Sequence, residues 1–114
     1  KKIALLKNLG ARVLKIKDKD GKVDLKNLMK ELGKLNIASV MIEGGSSINA
    51  SALSSKIVDK LIFFISPKII GGTDALPSIG GKSPASLKNV VRIKNSQVKI
   101  IGEDILLEGY PFYK

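Results

Sequence analysis

The chain has 114 residues, of which 44% are hydrophobic and 4% aromatic, so any core is built mainly from Ile, Leu and Val. It contains no Cys and no His, which excludes disulfides, thiol nucleophiles, histidine bases and ordinary zinc sites. The formal charge of +10 raises the question of nucleic-acid binding. The lysines are dispersed along the chain, however, and the only arginines are Arg12 and Arg92. We therefore expect a solvated basic surface and no nucleic-acid partner.

Features of targeting and membrane insertion are missing from the sequence. The longest apolar run, Leu61–Ile65, is much shorter than the roughly 18–20 residues of a membrane-spanning helix. The N-terminus has no signal-peptide pattern, so we expect a cytoplasmic protein without membrane association. Because residue 1 is Lys and enters helix-like sequence directly, we also expect a piece of a longer protein.

Two elements and a turn are predicted near the N-terminus. Three apolar residues at helical spacing indicate a first helix: Ile3, Leu6 and Leu9. Gly10 suits the position that follows a helix end. Residues 12–16 are rich in aliphatic side chains and predict a strand, and residues 18–21 predict a charged turn.

The clearest helix carries five apolar residues on one stripe: Leu25, Leu28, Met29, Leu32 and Leu35. Asp24 is a suitable N-cap because its carboxylate can accept from the free amides of the first turn. The apolar run Ala38–Ile42 follows this helix and predicts a buried parallel strand.

The middle of the chain predicts a short helix over Ile48–Ser55, capped by a serine, and a strand over Ile57–Ser66. Residues 71–84 are rich in Gly and Pro and predict a loop.

The C-terminal third predicts antiparallel strands. Alternating apolar residues change phase around Asn95–Ser96, which indicates a turn or a bulge. A second turn at residues 102–104 leads into a strand over Ile105–Glu108. Helices and strands followed by hairpins predict an α/β fold, with a mixed sheet flanked by helices. No repeat or linker divides the chain, so we expect a single domain over residues 1–114.

The segment Glu43-Gly44-Gly45-Ser46-Ser47 is the main candidate for a binding site. It follows a predicted strand and precedes a helix, where glycines allow close approach and free amides suit a phosphate. Glu43 could accept hydrogen bonds from ribose hydroxyls or ring N–H groups. The alternative is an ordinary turn between strand and helix, with Ser46 as the N-cap. Gly71-Gly72 could likewise be a flexible wall over a ligand or a simple turn.

Several segments together resemble the reductase domain of bacterial riboflavin-biosynthesis enzymes, the C-terminal half of the bifunctional deaminase-reductase. The resemblance rests on Val23-Asp24-Leu25, Val40-Met41-Ile42-Glu43-Gly44-Gly45, Ser51-Ala52-Leu53, Leu61 and Pro67-Lys68-Ile69-Ile70-Gly71-Gly72. Departures from the family pattern are Lys60, where the family usually has a glutamate, and Ala52, where an aromatic is common.

This resemblance implies a dihydrofolate-reductase-like fold and NADPH-dependent reduction of the ribosyl group of 5-amino-6-(5-phosphoribosylamino)uracil to the ribityl form. It implies that Glu43 contacts the substrate and that seven residues bind the cofactor: Gly45, Ser46, Ser47, Ile48, Asn49, Ala50 and Ser51. No side chain is expected to act as a catalytic nucleophile, and no metal is expected. The resemblance also implies a homodimer and a zinc deaminase domain N-terminal to this chain.

The chain is accordingly expected to be the C-terminal portion of the reductase domain, and to have little activity alone. Three alternatives stay open. They are a reductase of the same fold acting on another pteridine or pyrimidine, a basic nucleic-acid-binding module, and a non-catalytic assembly module.

Overall fold

The computed structural model describes residues 1–19 and 21–113, which group into two compact units divided after Val40. The first unit contains helix α1 (Lys2–Asn8), strands β1 (Asp18–Lys19) and β2 (Lys22–Val23), and helix α2 (Leu25–Lys34). The second contains helix α3 (Ser46–Ser54), strand β3 (Leu61–Ile65), a 3₁₀ turn (Leu87–Asn89), and strands β4 (Arg92–Ile101) and β5 (Asp104–Phe112).

Helix α1 ends as its sequence predicts. Gly10 adopts a φ of +81°, and its N–H donates to the carbonyl of Lys7. The N–H of Ala11 donates to the carbonyl of Leu6, which completes a Schellman motif. The glycine therefore satisfies the last carbonyls of the helix by leaving the right-handed region.

The charged turn and helix α2 follow in the first unit. Strands β1 and β2 pair antiparallel across the turn, and the amide of Gly21 donates to the carboxylate of Asp18 at 3.0 Å. The turn residue Asp20 lies outside the described residues. Helix α2 begins at the predicted cap, since the Asp24 carboxylate accepts from the amide of Asn27 at 3.1 Å. Leu25, the first residue of the apolar stripe, is buried.

The prediction of a strand is wrong for two segments. Residues 12–16 and 38–42 have no strand structure, and neither pairs with a neighbour within the described part of the chain. A strand is held by hydrogen bonds to an adjacent strand, so suitable side chains alone do not form one.

The sheet of the second unit is antiparallel, in the order β3-β5-β4. Strand β3 is shorter than the predicted range Ile57–Ser66, and β5 extends four residues beyond its predicted end at Glu108. The phase change at Asn95–Ser96 is a bulge in one continuous strand, because the register with β5 shifts between Lys94 and Gln97. Gly102 has a φ of +62° in the two-residue turn that joins β4 to β5.

Strand β5 contains two residues that are unusual in a central strand. A Cβ at Gly109 would collide with the side chain of Ile93 on β4, so the close approach at the bulge requires glycine. Pro111 pairs with Ile93 only, because β3 ends its pairing with β5 at Gly109. The missing N–H of the proline therefore leaves no ladder bond to β3 unmade.

Candidate functional site

Helix α3 begins directly after the two glycines. Gly45 is its N-cap, with an extended backbone (φ −70°, ψ 174°), and no side chain caps the helix. The predicted helix over Ile48–Ser55 with a serine cap is thus corrected: Ser46 and Ser47 already belong to the first turn. The extended glycine starts the helix two residues earlier than the apolar pattern indicated.

The first turn of α3 presents amides that have no hydrogen-bond acceptor among the described residues. The carbonyl of Gly45 accepts from the amides of Ile48 at 3.1 Å and Asn49 at 3.2 Å. The amides of Ser46 and Ser47 precede these donors and have no acceptor within the helix. No acidic side chain lies in the first turn. The helix dipole and these donors favour an anionic group at this end.

The two glycines differ in what the protein requires of them. A Cβ at Gly44 would collide with the side chain of Ile48, so the packing of the first turn demands glycine there. A Cβ at Gly45 would meet nothing within 4 Å, and the backbone conformation of Gly45 is one that any residue adopts. The lack of a side chain at Gly45 is therefore not needed by the fold, and it keeps the space in front of α3 open.

This space is a groove of about 740 Å³ within the second unit. Three segments line it: residues 44–49, residues 62–64 of β3, and residues 76–78. Five predicted cofactor-binding residues are among them: Gly45, Ser46, Ser47, Ile48 and Asn49. Ala50 and Ser51 lie outside the lining, and the hydroxyl of Ser51 donates to the carbonyl of Ser47 at 2.9 Å.

Glu43 is exposed and immediately precedes the first lining residue, Gly44. No hydrogen bond or ion pair to Glu43 occurs within the described residues. Gly71 and Gly72 have φ of +68° and +85° but do not line the groove, which favours the turn over the flexible wall.

A segment that the sequence indicated only as loop contributes to the groove. Residues 76–81, here called the clasp loop, belong to the predicted loop 71–84, which contains no helix or strand. The N–H of Gly80 donates to the carbonyl of Ser46 at 3.0 Å, and the side-chain amide of Asn49 donates to the carbonyl of Ser78 at 2.9 Å. The pair Gly80-Gly81 was the available signal for this contact, because adjacent glycines permit close packing against a helix.

Among residues 1–19 and 21–113, no cluster of acidic side chains could hold a metal ion. No helix within the same residues is long and apolar enough to cross a membrane.

The family is decided by a match to the model of the RibD C-terminal domain, which covers residues 1–107. The chain belongs to this family. RibD from Actinobacillus pleuropneumoniae is 42% identical over 107 residues, which are 94% of this chain and 28% of that protein. A protein from Methanothermobacter thermautotrophicus is 33% identical over 76% of this chain and 40% of its own length. It is named 2,5-diamino-6-ribosylamino-4(3H)-pyrimidinone 5′-phosphate reductase.

The solved structure of a relative has the same fold as this chain. RibD from Acinetobacter baumannii superimposes with a TM-score of 0.82 at 25% identity, over 96% of this chain and 29% of that one. The likeness confirms the predicted α/β fold. The chain thus spans less than half the length of the relatives that it matches.

Proposed function

We propose that this chain is the cofactor-binding part of a reductase of riboflavin biosynthesis, and that it binds the phosphates of NADPH at the start of α3. The family and the name of the Methanothermobacter relative support the reaction. The observation that carries the site is Gly45. The protein itself does not need glycine at this position, and Gly45 lines the groove with only open space where a Cβ would stand.

The residues of the first turn act as donors. The amides of Ser46 and Ser47 donate to phosphate oxygens, and their hydroxyls are available as further donors. Ile48 contributes an apolar side chain to the same groove. Ala50 and Ser51 contribute as part of helix α3 and do not contact the cofactor directly, since neither lines the groove.

Glu43 binds the substrate in this proposal. Its carboxylate stands next to Gly44 at the groove and accepts from ribose hydroxyls or ring N–H groups of a phosphoribosylamino-pyrimidine. When bound, NADPH supplies the hydride that reduces the ribosyl group to the ribityl chain. The protein contributes by holding cofactor and substrate in a reactive orientation, so no nucleophilic side chain is required.

The remaining parts of the proposal concern the whole protein. RibD relatives are longer than this chain, which covers 28% of the Actinobacillus protein. This supports a longer gene product that carries an N-terminal zinc deaminase domain and a reductase domain. This chain is the C-terminal portion of that reductase domain. We further propose that the protein is cytoplasmic and that it is a homodimer; a size measurement in solution tests the dimer directly.

The substitution Gly45→Val tests the cofactor site. Valine accepts the extended backbone of Gly45, so the fold is expected to persist while the side chain fills the phosphate position. In the protein as its gene encodes it, calorimetric titration with NADPH is expected to show saturable binding that Gly45→Val weakens at least tenfold. NADH serves as the comparison ligand.

Gly33→Val is the matched control. Gly33 lies in α2, outside the groove, and a Cβ there also meets nothing within 4 Å. It adds the same side chain and is expected to leave NADPH binding intact. Wild-type affinity in Gly45→Val would refute the proposed site.

A further inference from the structure

We propose that Asn49 is a positioning residue that holds the clasp loop, residues 76–81, as a wall of the cofactor groove. The inference rests on the proposed function and assigns one residue within that site a different role. Family resemblance places Asn49 among the cofactor contacts. Its side-chain amide instead donates to the carbonyl of Ser78, at 2.9 Å and 29 positions further along the chain.

The clasp loop depends on α3 for its position. Residues 71–84 form no helix or strand, and two hydrogen bonds of these residues occur within the described part of the chain. Both lead to α3: Gly80 donates to the carbonyl of Ser46, and Ser78 accepts from Asn49. Ser46 and Asn49 are three positions apart and therefore share one side of the helix. The loop is thus held at two neighbouring points of the same helix.

Glycines bring the loop close enough for these bonds. A Cβ at Gly80 would lie 3.1 Å from the Ser46 hydroxyl oxygen, which is tighter than ordinary contact. A Cβ at Gly81 would lie 3.1 Å from the Cβ of Ala50, and its φ of +86° disfavours any other residue. Ala50, another residue implied to contact the cofactor, accordingly packs against the loop.

The loop held in this way forms part of the groove. Leu76, Pro77 and Ser78 line it together with residues 44–49 and 62–64. Ser78 is both a lining residue and the acceptor for Asn49. Loss of the Asn49 amide therefore removes one of the two bonds that hold this wall, without altering the first amides of α3, which the cofactor phosphates use. The expected consequence is weaker cofactor binding with unchanged chemistry once the cofactor is bound.

The test compares Asn49→Ala with wild type in the protein as its gene encodes it, by steady-state reductase kinetics with NADPH. Removal of one such hydrogen bond is expected to raise the KM for NADPH about three- to tenfold. The value of kcat is expected to stay within about twofold. Ser54→Ala is the control, because Ser54 donates only to the carbonyl of Ser51 within α3 and lies outside the groove.

Hydrogen exchange of the Gly80 amide in the cofactor-free protein separates positioning from direct contact. Asn49→Ala is expected to accelerate this exchange about threefold or more, since the two bonds hold the same loop. Ser54→Ala is expected to leave it unchanged. Gly81→Ala provides a second route to the same result, because it pushes the loop away from α3 without altering Asn49.

The outcomes are distinct. A raised KM with unaltered Gly80 exchange would show Asn49 to be a direct cofactor ligand and would overturn the inference. An unchanged KM in both Asn49→Ala and Gly81→Ala would also overturn it, while loss of binding in Gly45→Val would still support the proposed function. Wild-type NADPH binding by Gly45→Val would overturn the proposed function and this inference with it.

Discussion

At the scale of single residues, each α-helix among the described residues is followed by a residue in the left-handed region. Gly10, Asn36 and Lys56 have φ of +81°, +59° and +55° and follow α1, α2 and α3. Each donates its amide to a carbonyl of the preceding last turn. Gly10 could be predicted because glycine adopts this conformation readily. The conformation of Lys56 could not, because lysine rarely adopts it; the amide of Ile57 donates to the carbonyl of Ala52 and completes the same motif there.

Asp24, the N-cap of α2, is the residue whose contribution to stability is most readily measured. The Asp24 carboxylate accepts from the backbone amide of Asn27 at 3.1 Å and from its side-chain amide at 3.3 Å. Asp24→Ala is expected to lower the free energy of unfolding by about 1 kcal/mol. Chemical denaturation measures this change. Asp24→Asn, which retains an acceptor, is expected to lose much less, and equal losses in both variants would contradict the role of the cap.

At the scale of elements, one carboxylate connects the three strands of the sheet. Glu108 lies on the central strand β5 and forms ion pairs with Lys60, just before β3, and with Lys99 on β4. The N–O distances are 3.0 Å and 3.4 Å. The hydrogen bond from Lys60 lowers the pKa of Glu108 below its ordinary value, against an opposing effect of desolvation. Both lysine charges also lower it.

This arrangement predicts a pH dependence of stability. A depressed pKa in the folded state means that the stabilisation is present above the unfolded pKa of Glu108 and is lost as pH falls through the folded value. Thermal unfolding of Glu108→Gln and wild type is therefore expected to differ slightly near neutral pH and to converge in acid. The difference stays small because the lysines are exposed, and about 1 M salt is expected to reduce it. A difference that grows on acidification would contradict this prediction.

Strand prediction was most direct where pairing is local, although β3 also formed within its predicted range and pairs with the distant β5. The strands β4 and β5 are adjacent in sequence and joined by a two-residue turn, so their alternation and the Gly102 turn indicate the hairpin directly. Residues 12–16 and 38–42 have equally suitable side chains but no paired neighbour within the described residues. The sequence pattern of a segment shows whether its side chains suit a strand. It does not show whether another strand is available to complete the hydrogen bonds of its backbone.

At the scale of the whole molecule, one face of the three-stranded sheet is apolar and largely exposed, with Phe63 and Leu107 partly buried on it. Two cross-strand rows form it, Ile65–Ile105–Ile100 and Phe63–Leu107–Val98. Val98 and Ile100 are 64% and 70% exposed. A contiguous apolar face of this kind is unfavourable in water. It accounts for the few buried apolar side chains among the described residues, which are Leu25, Ala52 and Leu106.

We therefore expect the isolated 114-residue chain to bind a hydrophobic dye more strongly than the protein as its gene encodes it. We also expect it to have little reductase activity, since it spans 28% of the Actinobacillus RibD relative. Dye fluorescence and NADPH oxidation on matched samples measure both. Full turnover by the isolated chain would contradict the second expectation.

The sequence by itself determined the features that depend on near neighbours. These are the apolar stripe and cap of α2, the glycine after α1, the C-terminal hairpin with its bulge, and the glycine pair before α3. Each follows from spacing, charge or backbone freedom within a few residues. Tertiary structure alone decided that Gly45 lines the groove and that Asn49 donates to the carbonyl of Ser78. It also decided which apolar segments pair as strands. These depend on contacts between distant residues, and no local pattern encodes which distant atoms will meet.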